Sequence, residues 1–68
     1  MISYGPLWKT MKEKGITTYT LIKKHNLSSH TVHRLRRNTG ISTTLINHLC
    51  TILNCKVEDI LIYVPEGK

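Results

Sequence analysis

Turn-forming residues interrupt this chain so evenly that no regular element can run beyond about three or four helical turns. The breaks fall at Gly5-Pro6, Gly15, Asn26, Asn38-Thr39-Gly40, Asn54 and Pro65. Between them the apolar residues recur at helical spacing, so the chain divides into five short helical candidates. A chain of 68 residues has room for one small domain over 1–68. Short helices sharing a single apolar centre are the expected way to build a core this small.

Each candidate has its own start and stop signals. The first helix starts at Pro6, a favoured first-turn residue, and stops at Gly15. Leu7, Trp8 and Met11 form its apolar side. The second starts near Thr17 or Thr18, whose hydroxyls can cap free amides. Leu21 and Ile22 point inward, with Tyr19 partly so, and Asn26 ends the helix in a left-handed conformation. Leu27 then plugs the core and Ser28 caps the third helix, which ends at Arg36 or Arg37. Ser42 caps the fourth, whose wide apolar stripe of Leu45, Ile46, Leu49, Cys50, Ile52 and Leu53 makes it the most buried-looking helix of the chain. A fifth, brief helix is expected near Val57 to Ile62, with Glu58 and Asp59 in its first turn. The ends, Ile2-Ser3-Tyr4 and Ile62-Tyr63-Val64, are β-prone. They could pair as a two-stranded ribbon joining the termini, or equally sit at a dimer interface.

Charge divides the chain in two. The net charge is +6. Residues 1–40 carry Lys9, Lys12, Lys14, Lys23, Lys24, Arg34, Arg36 and Arg37 against Glu13 alone. Residues 41–68 carry Lys56 and Lys68 against Glu58, Asp59 and Glu66. A basic half on a slightly acidic half suggests one face for a polyanion, with a solvated basic surface as the plainer alternative. There is no apolar run long enough for a membrane span. The first residues lack the pattern of a secretory signal. Cys50 and Cys55 form no C-x-x-C pair, and four scattered histidines add no zinc pattern. Two reduced, mostly buried thiols in a cytoplasmic protein are expected, with no metal and no cofactor.

The third helix concentrates the chemistry. Val32 and Leu35 are its only apolar members, one turn apart. Ser29, His30, His33, Arg34 and Arg37 fall on the other side. A face of donors and cations on a short helix suits a nucleic-acid groove. Ser29 and His30 in the first turn, then His33 and Arg34, are the expected base readers. Arg34 is the strongest of them, because guanidinium matches the O6/N7 edge of guanine. A phosphate contact or a solvated charge is the alternative for it. His30 and His33, three apart, have no third ligand placed for a metal.

Phosphate contacts are expected from helix starts, hydroxyls and flanking cations. These are Thr17, Thr18 and Tyr19; Ser28 and Thr31; Arg36, Arg37, Asn38 and Thr39; and Ser42, Thr43 and Thr44. Three consecutive hydroxyls at 42–44 exceed what an ordinary helix start requires. Lys9, Lys12, Lys23 and Lys24 would add long-range attraction.

Gly15-Ile16-Thr17, Leu21, Asn26-Leu27-Ser28, Val32, Leu35 and the Leu49, Leu53, Asp59-Ile60-Leu61 tail resemble the Cro and phage-repressor (lambda-repressor-like, XRE-type) helix-turn-helix regulators. The resemblance runs from about Leu7 to Leu61 and is to short, stand-alone members, common in bacterial chromosomes, phages and mobile elements. It implies an all-α, compact five-helix fold with the helix-turn-helix at about 17–37. It also implies a third helix lying in the major groove. The pattern departs at Asn26, where the family usually has glycine, at Ile22, usually small, and at His25, usually apolar. Many members pair an arginine in helix 1 with a glutamate late in helix 3. Here those positions are Met11 and Arg36, so both partners have changed together. Losing one partner of a buried pair is costly, whereas losing both can be near neutral. The change frees Arg36 for phosphate or solvent.

The expected function is a sequence-specific double-stranded DNA-binding transcriptional regulator, a repressor in a bacterial cytoplasm, with no small-molecule ligand and no membrane partner. A single reading helix covers few base pairs, so a homodimer on DNA is expected, joined through Leu61, Ile62, Tyr63 and Val64. The alternative is a protein-interaction or antitoxin-like accessory module docking an acidic partner on the basic surface. Such a module would favour exposed apolar anchors on the third helix, which this one lacks. A single-strand RNA reader would cluster aromatics on the basic face, and Tyr4, Trp8, Tyr19 and Tyr63 do not cluster there. No nucleophile–base set, acidic pair or phosphate loop points to an enzyme.

Overall fold

The computed structural model describes residues 1–66. Lys68, counted above among the charges, lies outside them. The element order is β1 Ile2–Ser3, α1 Gly5–Lys14, α2 Thr18–His25, α3 Ser29–Arg36, α4 Thr43–Leu53, a 3₁₀ turn Val57–Asp59, and β2 Ile62–Tyr63.

Helix α1 starts at Gly5, one residue before the expected Pro6, and four of the breaks have a common backbone reason. Gly15, Asn26, Asn38 and Asn54 all adopt left-handed conformations, with φ of 69°, 59°, 56° and 51°. Asparagine is among the few residues with a Cβ that tolerate this region, so Asn26 does the work of the family's glycine. Three helices start on hydroxyl caps. Thr17, Ser28 and Ser42 accept the backbone N–H groups of Thr20, Thr31 and Leu45 at 3.2, 3.0 and 3.1 Å.

The fifth helix is not formed. Four α-helices are followed by one 3₁₀ turn of three residues. Two side chains explain why it stops. The Asp59 carboxylate turns back to accept the Lys56 N–H at 3.1 Å. The Asp59 carbonyl accepts the Thr10 hydroxyl at 2.8 Å, which competes for the acceptor a continuing helix would use. Ile60 then drops into the core, fully buried, and Ile62 leaves to pair in a strand.

β1 and β2 form an antiparallel ribbon with Ile2 opposite Tyr63 and Ser3 opposite Ile62. Beyond it, Met1 and Val64 exchange two hydrogen bonds of 2.7 Å. The core beneath comprises Tyr4, Leu7, Met11, Leu21, Leu27, Leu35, Leu49, Leu53 and Ile60. Every helix contributes, so no helix is stable on its own account.

Two sequence expectations about packing change. Tyr19 points outward, 68% exposed, with the Lys23 ammonium 6.0 Å from its ring centre. Helix α4 buries only Leu49 and Leu53 completely, while Leu45, Ile46, Cys50 and Ile52 are half-buried. A stripe as wide as this exceeds what one side of a four-helix core can cover.

Candidate nucleic-acid interface

Helix α3 is fixed from below. Val32 and Leu35 are buried, and Ser28 closes the N-terminus. Its hydroxyl also bonds that of Thr31 at 2.9 Å, which orders the first turn. With those contacts made, Ser29, His30, His33 and Arg34 are all exposed, as are Arg36 and Arg37. The base-reading candidates therefore share one uncovered helix, and Thr31 lies half-buried on its flank.

That flank faces the start of α4. Thr31, Arg34, Gly40, Ile41, Ser42 and Leu45 line one open cleft. Ser28 and Thr31 meet Ser42, Thr44, Leu45 and His48 in a second, with His25, Asn26 and Leu27. The N-termini of α3 and α4 thus border common ground, and helix N-termini attract anions. Thr43 and Thr44 are exposed in the first turn of α4. Thr17, Thr18 and Tyr19 sit at the start of α2.

Several phosphate candidates already have structural tasks. The Ser28, Thr17 and Ser42 oxygens cap their helices. The Asn38 side-chain oxygen accepts the Tyr4 N–H at 2.9 Å. The Thr39 carbonyl accepts the Tyr4 hydroxyl at 2.6 Å, and the Thr39 hydroxyl donates to the Arg34 carbonyl at 3.0 Å. These bonds fasten the end of α3 to the first residues of the chain. Tyr4 was missed as a core residue. Its hydroxyl needs a partner wherever the ring is buried, but nothing local names Thr39 as that partner.

Arg36, which stands where many members have the glutamate, is exposed but has partners within the fold. Its guanidinium lies 5.8 Å from the centre of the Trp8 ring and donates to the Thr18 hydroxyl at 3.4 Å. An exposed cation–π contact of this kind contributes about 0.5–1 kcal/mol. The arginine thus spans α1, α2 and α3 where the family commonly uses an ion pair. Arg37, at the C-terminus of α3, has no ion pair among the described residues.

Charge is segregated in space as well as in sequence. Glu13, Glu58 and Asp59 line a cleft between α1 and the 3₁₀ turn, together with Lys9 and Thr10. No residue of α2, α3 or α4 lines that cleft. The cations of α2 and α3 are therefore not neutralised by these acids. No group of three or more His, Cys, Asp or Glu is arranged around a metal position among the described residues. No helix of the described residues is long and apolar enough to cross a membrane.

Two short helices, a tight left-handed turn, a capped second helix and an uncovered polar face define a helix-turn-helix domain. The chain belongs to the Cro/C1-type helix-turn-helix DNA-binding domain family, whose model matches residues 6–66. Among solved structures it is similar to the transcriptional regulator VanUg in its crystal form II, at 31% identity and a TM-score of 0.85. That match covers 96% of this chain and 87% of the other. No curated protein sequence matches the chain.

Proposed function

We propose that this protein is a sequence-specific transcriptional regulator of double-stranded DNA, a repressor of a bacterial or mobile-element promoter, acting in the cytoplasm. One observation carries the reading: Ser29, His30, His33 and Arg34 stand exposed on a helix held rigidly by Val32 and Leu35 beneath. Ser29 and His30 meet base edges first, and Arg34 reads a guanine one turn on. Arg37, Thr31 and the hydroxyls of Thr43 and Thr44 contact phosphates on either side, with the starts of α2 and α4 adding backbone amides. The regulator similarity of VanUg supports the same reading.

The protein works as a homodimer. Ile62, Tyr63 and Val64 are 45%, 65% and 38% exposed, and Leu61 is half-buried. Beside them Ile2, Ile41, Ile46 and Leu61 line a largely apolar groove. A second copy covering this surface would place two reading helices on one palindrome, with half-sites about one helical turn apart.

Selection from a random duplex library tests the proposal, followed by titration of the selected duplex against a scrambled one at two salt concentrations. A palindromic motif preferred by about a thousandfold or more is the expected result. Salt-sensitive binding without a motif would leave a non-specific DNA surface. Failure to bind either duplex would overturn the reading in favour of a protein-interaction module.

A further inference from the structure

The two cysteines lie apart from the DNA-facing surface and meet at the C-terminus of α4. That helix ends in a fold-back: Asn54 takes the left-handed conformation and the Cys55 N–H donates to the Cys50 carbonyl at 3.1 Å. Helix α1 ends the same way, with Gly15 left-handed and the Ile16 N–H bonded to the Met11 carbonyl at 2.9 Å. This motif brings the side chains on either side of the turn into contact, and the pair is ordinarily apolar. In α1 the pair is Met11 and Ile16. In α4 it is Cys50 and Cys55, both free thiols, both partly exposed and both packed at the edge of the core. Burial and the neighbouring Cys50 push the Cys55 thiol above its ordinary range.

We propose that Cys50 and Cys55 form a dithiol site that a hydroperoxide oxidises reversibly to an intramolecular disulfide. Cys50, as its thiolate, attacks the peroxide O–O bond, because the raised Cys55 thiol is the poorer source of a thiolate; this gives a sulfenic acid and, for hydrogen peroxide, water. The second sulfur attacks the first and displaces its oxygen as a second water. Two thiols and one peroxide thus yield one disulfide and two waters, the two electrons passing from sulfur to oxygen. The turn pre-pays the chain closure, because the backbone bond already holds the two residues together. The product ties the end of α4 to the segment leading into Ile60 and the ribbon. The site stands independently of what α3 contacts.

The test is intact-mass spectrometry and thiol counting on the full chain treated with one equivalent of hydrogen peroxide. The expected product has lost two hydrogens, retains neither thiol, migrates as a monomer without reductant, and regains both thiols with dithiothreitol. Cys50→Ser and Cys55→Ser should each abolish that mass loss and give oxygen adducts or covalent dimers instead. Wild-type protein that gains oxygen atoms, crosslinks between chains or keeps both thiols free would overturn the proposal.

Discussion

Arg34 and Arg37 lie three residues apart on one helix and are both exposed, yet their surroundings differ. Arg34 borders the cleft shared with the start of α4, whereas Arg37 closes the helix C-terminus. Arg34→Ala is expected to weaken binding to the selected operator by about 1–3 kcal/mol and to leave scrambled duplex less affected. Arg37→Ala should weaken both alike and lower the salt slope by about one. Competition titration across salt concentrations separates the two, and equal effects would undo the assignment. Asn26 allows a second test at this scale. Its φ of 59° penalises an ordinary side chain, so Asn26→Ala should cost about 1–2 kcal/mol. Asn26→Gly should be close to neutral, as seen by thermal unfolding.

Each helix is too short to persist alone, so its caps and its buried face act together. Ser28 is the clearest case, because one hydroxyl accepts the Thr31 N–H and bonds its side chain. Ser28→Ala should lower stability by about 1 kcal/mol, or about 4–8 °C in melting temperature. It should also weaken operator binding beyond that cost, since the first turn bearing Ser29 and His30 frays. A full loss of stability with unchanged affinity would mean that the turn stays ordered without its cap. The ends of α1, α2 and α4 were legible because left-handed positions admit few residues. The end of the fifth candidate was not. Its 3₁₀ turn stops where the Asp59 carbonyl meets Thr10, 49 residues away in sequence, and local pattern carries no trace of such a partner.

At the scale of the whole molecule, one residue of the half-buried stripe of α4, Ile46, reaches the apolar groove beside the open ribbon. Ile46 joins Ile2, Ile41 and Leu61 in the groove beside exposed Ile62 and Tyr63. If a second copy covers it, Ile46→Glu and Tyr63→Ser should each shift the protein toward monomer in sedimentation equilibrium. Helix content in circular dichroism should stay unchanged, and operator binding should become weaker and less cooperative. A wild-type chain that sediments as a monomer both free and on operator DNA would refute the dimer. Charge is also organised at this scale. The acids Glu13, Glu58 and Asp59 gather in a cleft built from α1, the 3₁₀ turn and the ribbon, and leave the α2–α3 cations unopposed.

The helices α1 to α4, their caps and the polar face of α3 follow from local rules: helical spacing, hydroxyl caps and left-handed asparagines are properties of neighbouring residues. The family and its helix-turn-helix were readable for the same reason. What tertiary structure decided are the long-range partnerships. Arg36 rests on Trp8 and Thr18 because α1, α2 and α3 converge there. Asn38 and Thr39 hold Tyr4 across 34 and 35 residues of chain. Tyr19 faces outward, away from the core that its apolar ring was expected to join in part. A side chain's type states what it can bond. Which partner it meets depends on how separate helices pack, and that is set by burial of the shared core rather than by local pattern.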